Sequence, residues 1–125
     1  MDESIRNCLP GHELSFVRTM AEAMRSLRHD GFQMIVIELN FDESRMLELL
    51  QYVRTIEHYK QVPVVCVHGD HQHLSEAVMR NIDVAVKALG GVGFLDLEED
   101  GASHPQNCRF LDRVAAQSGA SIRPS

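Results

Sequence analysis

An α/β domain built on a mainly parallel sheet is the fold class the sequence predicts, and three features carry that reading. Short apolar runs bounded by turn residues alternate with stretches of helical periodicity, the pattern of βαβ units. Met34-Ile35-Val36-Ile37 and Val64-Val65-Cys66-Val67 are apolar throughout, as strands are when helices cover both faces of a sheet. Glycine and proline punctuate the units at Gly31, Pro63 and Gly90-Gly91.

Taken in order, Leu14-Ser15-Phe16-Val17 reads as a strand, and Met20, Ala23, Met24 and Leu27 follow at helical spacing. Gly31 stands where that helix would terminate. The next strand, Met34 to Ile37, leads into Glu38. After the loop Asn40-Phe41-Asp42-Glu43, apolar residues at 46, 49, 50, 53 and 56 mark one face of a helix of about four turns, with Asp42 or Ser44 placed to cap it. Pro63 opens the strand Val64 to Val67 at a position where a missing N–H does little harm. Val78, Ile82, Ala85, Val86 and Leu89 form the buried stripe of a further helix, which Gly90-Gly91 ends before a last strand, Val92 to Leu97. Glu98 to Pro105 is polar and loop-like, and Phe110, Leu111, Val114 and Ala115 give a closing helix. The expected organisation is an atypical segment 1–13, one domain over 14–118 and a mobile tail 119–125.

A chain of 125 residues holds one domain, large enough to bury roughly 65–70% of its unfolded surface. Its formal charge of -6 argues against nucleic acid or an anionic membrane as partner, because both require clustered Lys and Arg. No apolar run reaches the roughly 20 residues of a membrane span, and Met1-Asp2-Glu3 is acidic where a signal peptide is basic, so a cytoplasmic location is expected. Cys8, Cys66 and Cys108 include no Cys-x-x-Cys pair, so neither a disulfide framework nor a thiolate zinc site is expected. Cys66 reads as a small core hydrophobe, and intermolecular pairing is the alternative for Cys8 and Cys108.

Phe16-Val17 through Ala23, Leu27, Gly31-Phe32, the strand to Glu38, Leu39-Asn40, Leu47-Glu48-Leu49-Leu50, Pro63-Val64-Val65 and Gly90-Gly91-Val92-Gly93-Phe94-Leu95 follow one another in a familiar order. Over about Leu14 to Leu97 the chain resembles a response-regulator receiver domain of two-component systems. The resemblance implies a flavodoxin-like, doubly wound sheet with its site beyond the carboxyl ends of the strands. It also implies a truncation, because only thirteen residues precede Leu14 and they contain no apolar strand ending in the paired acids that hold a receiver's magnesium.

Other departures fall on the chemistry. The phosphoacceptor aspartate aligns with Glu38, the hydroxyl residue ending the fourth strand with His68, the switch aromatic with Phe94, and the lysine beyond it with Leu97. Phosphoryl transfer to a carboxylate depends on positioning and on positive charge around the transferring oxygens. With metal, lysine and hydroxyl replaced together, the several kcal/mol a cation contributes have no evident source. Glutamate also displaces its oxygens by about 1.5 Å, an error that costs on the order of 100-fold in rate. A degenerate receiver that does not accept phosphate is therefore expected, with no cofactor and no catalytic activity. Glu38 is then either a relic carboxylate or a permanent stand-in for the phosphorylated state.

His68-Gly69-Asp70-His71-Gln72-His73 offers a second constellation. His68, Asp70, His71 and His73 are candidate ligands for zinc or nickel, although their spacing matches no closed metal motif and such clusters are more often an exposed loop or a helix start, capped by Asp70 or Ser75. His68 and Glu38, if on neighbouring strand ends, are expected to pair. The leading expectation is a stand-alone module that docks a protein partner, a signalling kinase or downstream regulator, through Val92, Phe94 and Leu97. A small metal-dependent or hydrolytic enzyme using Glu38 and the His68, His71 and His73 loop is the alternative, and phosphate acceptance by Glu38 or His68 a third reading. For the missing strand the options are direct pairing of the Phe16 and Val36 strands, a strand over Ser4 to Leu9, or an edge covered by a second chain; a homodimer is expected.

Overall fold

The computed structural model describes residues 2–69, 73–98 and 104–117. Three parallel strands form the sheet: β1 (Ile35–Glu38), β2 (Val64–His68) and β3 (Gly93–Asp96), in that spatial order. Around them run α1 (Asp2–Cys8), α2 (Met20–His29), α3 (Met46–Thr55), a 3₁₀ turn (Glu57–Tyr59), α4 (Glu76–Ala88) and α5 (His104–Ala115).

Alternation along the strands sorts the core into two layers. Ile35 and Ile37 of β1, with Val64 and Cys66 of β2, join the cluster built by α2, α3 and α4. Met34, Val36, Val65 and Val67 point the other way, into the cluster of α1 and α5, where Ile5, Leu9, Leu111 and Ala115 meet them. Val64 to Val67 are fully buried, which the unbroken apolar run requires of a strand with helices on both faces.

Local chemistry fixes the helix ends. Thr19 and Glu22 make a reciprocal capping box at the start of α2, with each side chain accepting from the other's backbone N–H at 3.1 Å. The Ser75 hydroxyl accepts from the Val78 N–H at 3.2 Å and caps α4 as the sequence allows. Gly90 follows α4 with φ +95°, a conformation only glycine adopts without strain, and a Cβ on Gly91 would stand 2.5 Å from Val86 Cγ1. The Arg54 guanidinium donates to Gly90 O and Tyr59 O, binding α3 to this corner.

Several expectations are corrected. Leu14 to Val17 joins no ladder, so the Phe16 and Val36 strands do not pair. Ser4 to Leu9 is not a returning strand: Ile5, Cys8 and Leu9 recur at helical spacing and bury one face of α1. α3 spans 10 residues, under three turns, and neither Asp42 nor Ser44 caps it. Val78 is 43% exposed rather than part of the buried stripe. Cys8 and Cys108 form a disulfide within the chain, with Cα atoms 5.0 Å apart. Sequence spacing concealed this pair, 100 residues apart, because only the packing of α1 on α5 brings them together. Cys66 is free and buried, as expected of a core thiol, and burial pushes its pKa up to about 12.

Candidate functional site

β1 carries Glu38 to the carboxyl edge of the sheet, where the chain leaves the ladder through Leu39 and Asn40. One carboxylate oxygen, Oε2, is buried and lacks a hydrogen-bond partner among the described residues. Leaving such a group unsatisfied costs on the order of 1–3 kcal/mol, so its retention needs a reason.

The turn that follows is strained. Asp42, Glu43 and Ser44 all have positive φ, at 42°, 60° and 67°. Left-handed backbone costs an ordinary residue roughly 1 kcal/mol or more, so three in succession call for contacts that hold them. Asp42 supplies one of them: its Oδ2 accepts from the Met20 N–H at 2.7 Å, binding the turn to the first residue of α2, and from Arg45 Nη1 at 3.4 Å. The carboxylate expected to cap α3 instead serves α2.

His68 ends β2 and is 1% exposed. Its register partner is Asp96 on β3, and His68, Asp96 and Glu98 offer ligand atoms within 4.8 Å of one another. The expected pairing of His68 with Glu38 is not formed among the described residues. Side-chain alternation explains why: Glu38 shares parity with Met34 and Val36, whereas His68 shares parity with Val64 and Cys66 on the opposite face. Asp96 and Glu98 escaped the sequence reading, although parallel register of the runs ending at His68 and Asp96 is the signal that finds them. Asp96 is held in place on both sides, its Oδ1 accepting from the Glu98 N–H at 3.0 Å and its carbonyl from Asn107 Nδ2 at 2.8 Å.

Leu97 and Phe94, placed at switch positions by the resemblance, are core residues. Leu97 is fully buried among α1 and α5, and its N–H donates to His68 O at 2.7 Å. Phe94 is 7% exposed, and its N–H donates to Asp83 Oδ1 at 2.9 Å. Neither side chain presents the exposed surface that docking needs. Desolvation pushes the Asp83 carboxyl up, but the Phe94 N–H and the ammonium of Lys87 outweigh it and hold the pKa below the ordinary range. Of the histidine loop, Asp70 and His71 lie outside the described residues; His73 is exposed and joins no ligand group among those described. A second group the sequence did not reveal, Cys8, His104 and Cys108, surrounds the disulfide, with His104 Nδ1 3.1 Å from Leu97 O.

The acid pair of a receiver's magnesium site has no counterpart on the described strands. The ligand group that does form at this edge includes the imidazole of His68 and leaves out Glu38. Magnesium favours oxygen donors in near-ideal octahedral geometry, and this donor set does not fit it.

No family model matches the sequence, and no curated protein is significantly similar to it. Solved structures are similar in fold. The phosphorylated cyanobacterial phytochrome response regulator RcpA superposes with a TM-score of 0.65 at 19% identity, over 94% of this chain and 84% of that one. The Mn(2+)-bound form of the response regulator Rcp1 gives 0.66 at 18% identity, over 99% and 91%. The signal receiver domain of a DNA-binding response regulator (merR) from Colwellia psychrerythraea 34H gives 0.64 at 13%, over 93% and 83%. With the parallel β1-β2-β3 order and helices on both faces, these likenesses establish that the chain has the flavodoxin-like fold of response-regulator receiver domains.

Proposed function

We propose that this chain is a receiver-fold protein-interaction module of two-component-type signalling that does not accept a phosphoryl group. The observation that carries the reading is the surroundings of Glu38: a buried carboxylate oxygen without a partner among the described residues. A phosphoacceptor works because cations collect the phosphoryl oxygens beside it. Here the position from which the resemblance would bring a lysine is Leu97, fully buried in the opposite cluster from Phe94. His68, at the hydroxyl position, faces the other side of the sheet from Glu38.

The phosphorylated RcpA and the manganese-bound Rcp1 supply the contrast. A module stripped of that chemistry acts by binding, and its partner is a protein, a kinase or a downstream regulator. No described helix is long and apolar enough to cross a membrane. Incubation with magnesium and acetyl phosphate followed by intact mass tests the reading. An unchanged mass is the expected result, and a stable one-phosphoryl adduct sinks it.

A further inference from the structure

We propose that the channel beside β1 is a docking slot for an extended apolar peptide of a partner protein, which adds to the sheet as a fourth strand. The inference deepens the interaction-module reading and rests on it.

Backbone direction gives the first argument. Ile35 and Leu39 turn their N–H groups to β2, donating to Pro63 O at 3.0 Å and Val67 O at 2.8 Å, and Ile37 lies between them in the same register. Val36 and Glu38 therefore present N–H and C=O to the other side, where no described strand lies. Leu14 to Val17 forms the far bank without a backbone hydrogen bond to β1 among the described residues. Unpaired groups on a strand edge in this position invite a further strand.

The walls give the second. The channel has a volume of about 1130 Å³, above the roughly 300–1,000 Å³ of small-molecule pockets. Leu9 and Ala115 line it from one layer of the core, and Ala23 and Leu27 from the other. An occupant between two apolar layers needs apolar side chains on both faces, as β2 has. At about 3.3 Å per residue, the four-residue β1 matches an occupant of about four residues.

Charge gives the third. Glu13, Asp30, Glu38 and Asp42 line the channel, where Arg18 is the one guanidinium among the described lining residues and Arg45 from outside the lining pairs with Asp42. Glu38 Oε2 is buried at the slot's end with nothing to bind among the described residues. A Lys or Arg flanking the apolar stretch would meet it there. A second copy of this chain fits less well: the edge is recessed between α2 and the Leu14 to Val17 bank, so the β1 edges of two copies cannot both enter.

Fluorescence anisotropy of a labelled Val-Ile-Val-Ile-Lys peptide against the full chain tests the slot. Saturable binding is expected, weakened about tenfold by Glu38→Gln. N-methylation at alternate peptide amides, which keeps the side chains and removes the donors, should abolish it. Thermal unfolding of Glu38→Gln confirms that the variant is folded. Absence of saturable binding, equal binding of the N-methylated peptide, or light scattering showing a homodimer that excludes the peptide would each overturn the proposal. A phosphoryl adduct sinks the inert-receiver reading alone, whereas lack of peptide binding at unchanged mass sinks the slot alone.

Discussion

Both outer strands of this sheet are edges, yet only one is finished. At β3 the helix α4 lowers Asp83 onto the strand, its Oδ1 accepting the Phe94 N–H, and Gly93 leaves room for it: a Cβ there would stand 3.0 Å from the same oxygen. Arg54 and Gly90 lock the adjoining corner. At β1 the outward N–H and C=O groups of Val36 and Glu38 face a channel, beside a carboxylate oxygen without a partner among the described residues and a left-handed turn. An edge closed by a helix side chain is insulated from pairing, and an edge left open invites it. Closed contacts are concentrated on the β2 and β3 side of the molecule, and the proposed slot lies on the β1 side.

Core substitutions should expose that division most strongly. Leu50, fully buried among α3 and β1, should cost about 3–4 kcal/mol on mutation to Ala, whereas Leu14→Ala at the channel should cost less than about 1 kcal/mol. Urea unfolding of the two variants measures the difference, and equal losses would erase the comparison.

The disulfide ties the walls of the open side, joining α1 to α5. Cys108→Ser, or reduction of the wild type, should lower stability by about 4–5 kcal/mol, since the bond closes a loop of 100 residues in the unfolded chain. Thermal unfolding with and without reductant should show a shift in the wild type and none in Cys108→Ser.

Asp83 sharpens the closed side. Asp83→Asn should cost about 1 kcal/mol at neutral pH through the weakened bond to the Phe94 N–H. The folded pKa is depressed, so the contribution of the charge is complete above the unfolded value of about 3.9 and disappears as pH falls through the folded value. The gap between wild type and variant should thus be constant near pH 7 and shrink below about pH 4. A gap that widens on acidification would contradict this assignment.

The smallest effect belongs to the turn. Glu43 has φ 60°, so Glu43→Gly should stabilise the chain by about 0.5–1 kcal/mol, read as a rise in melting temperature. A loss of stability would mean that the Glu43 side chain holds the turn.

What the sequence showed and what it hid divide along the same line. The three observed strands were legible because their apolar runs match strands buried on both faces, and the α4 cap and glycine end because Ser75 and Gly90-Gly91 carry local signals. The capping box at Thr19 and Glu22 is equally local, carried by a Thr-x-x-Glu spacing. The composition of Leu14 to Val17 suits a strand, but a strand needs a neighbour, and none pairs with it among the described residues. At the site, Glu38 and His68 were found by position along their strands. Their separation onto opposite faces, the meeting of His68 with Asp96 and Glu98, and the Cys8–Cys108 bond all depend on register and packing between distant segments.

Amide hydrogen exchange of the free chain, followed residue by residue by NMR, tests the open edge most directly. The Val36 and Glu38 amides should exchange orders of magnitude faster than that of Ile37, their neighbour in the ladder with β2. Equal protection of all three would show that β1 is already paired on both sides, and the account of an unfinished edge would fail.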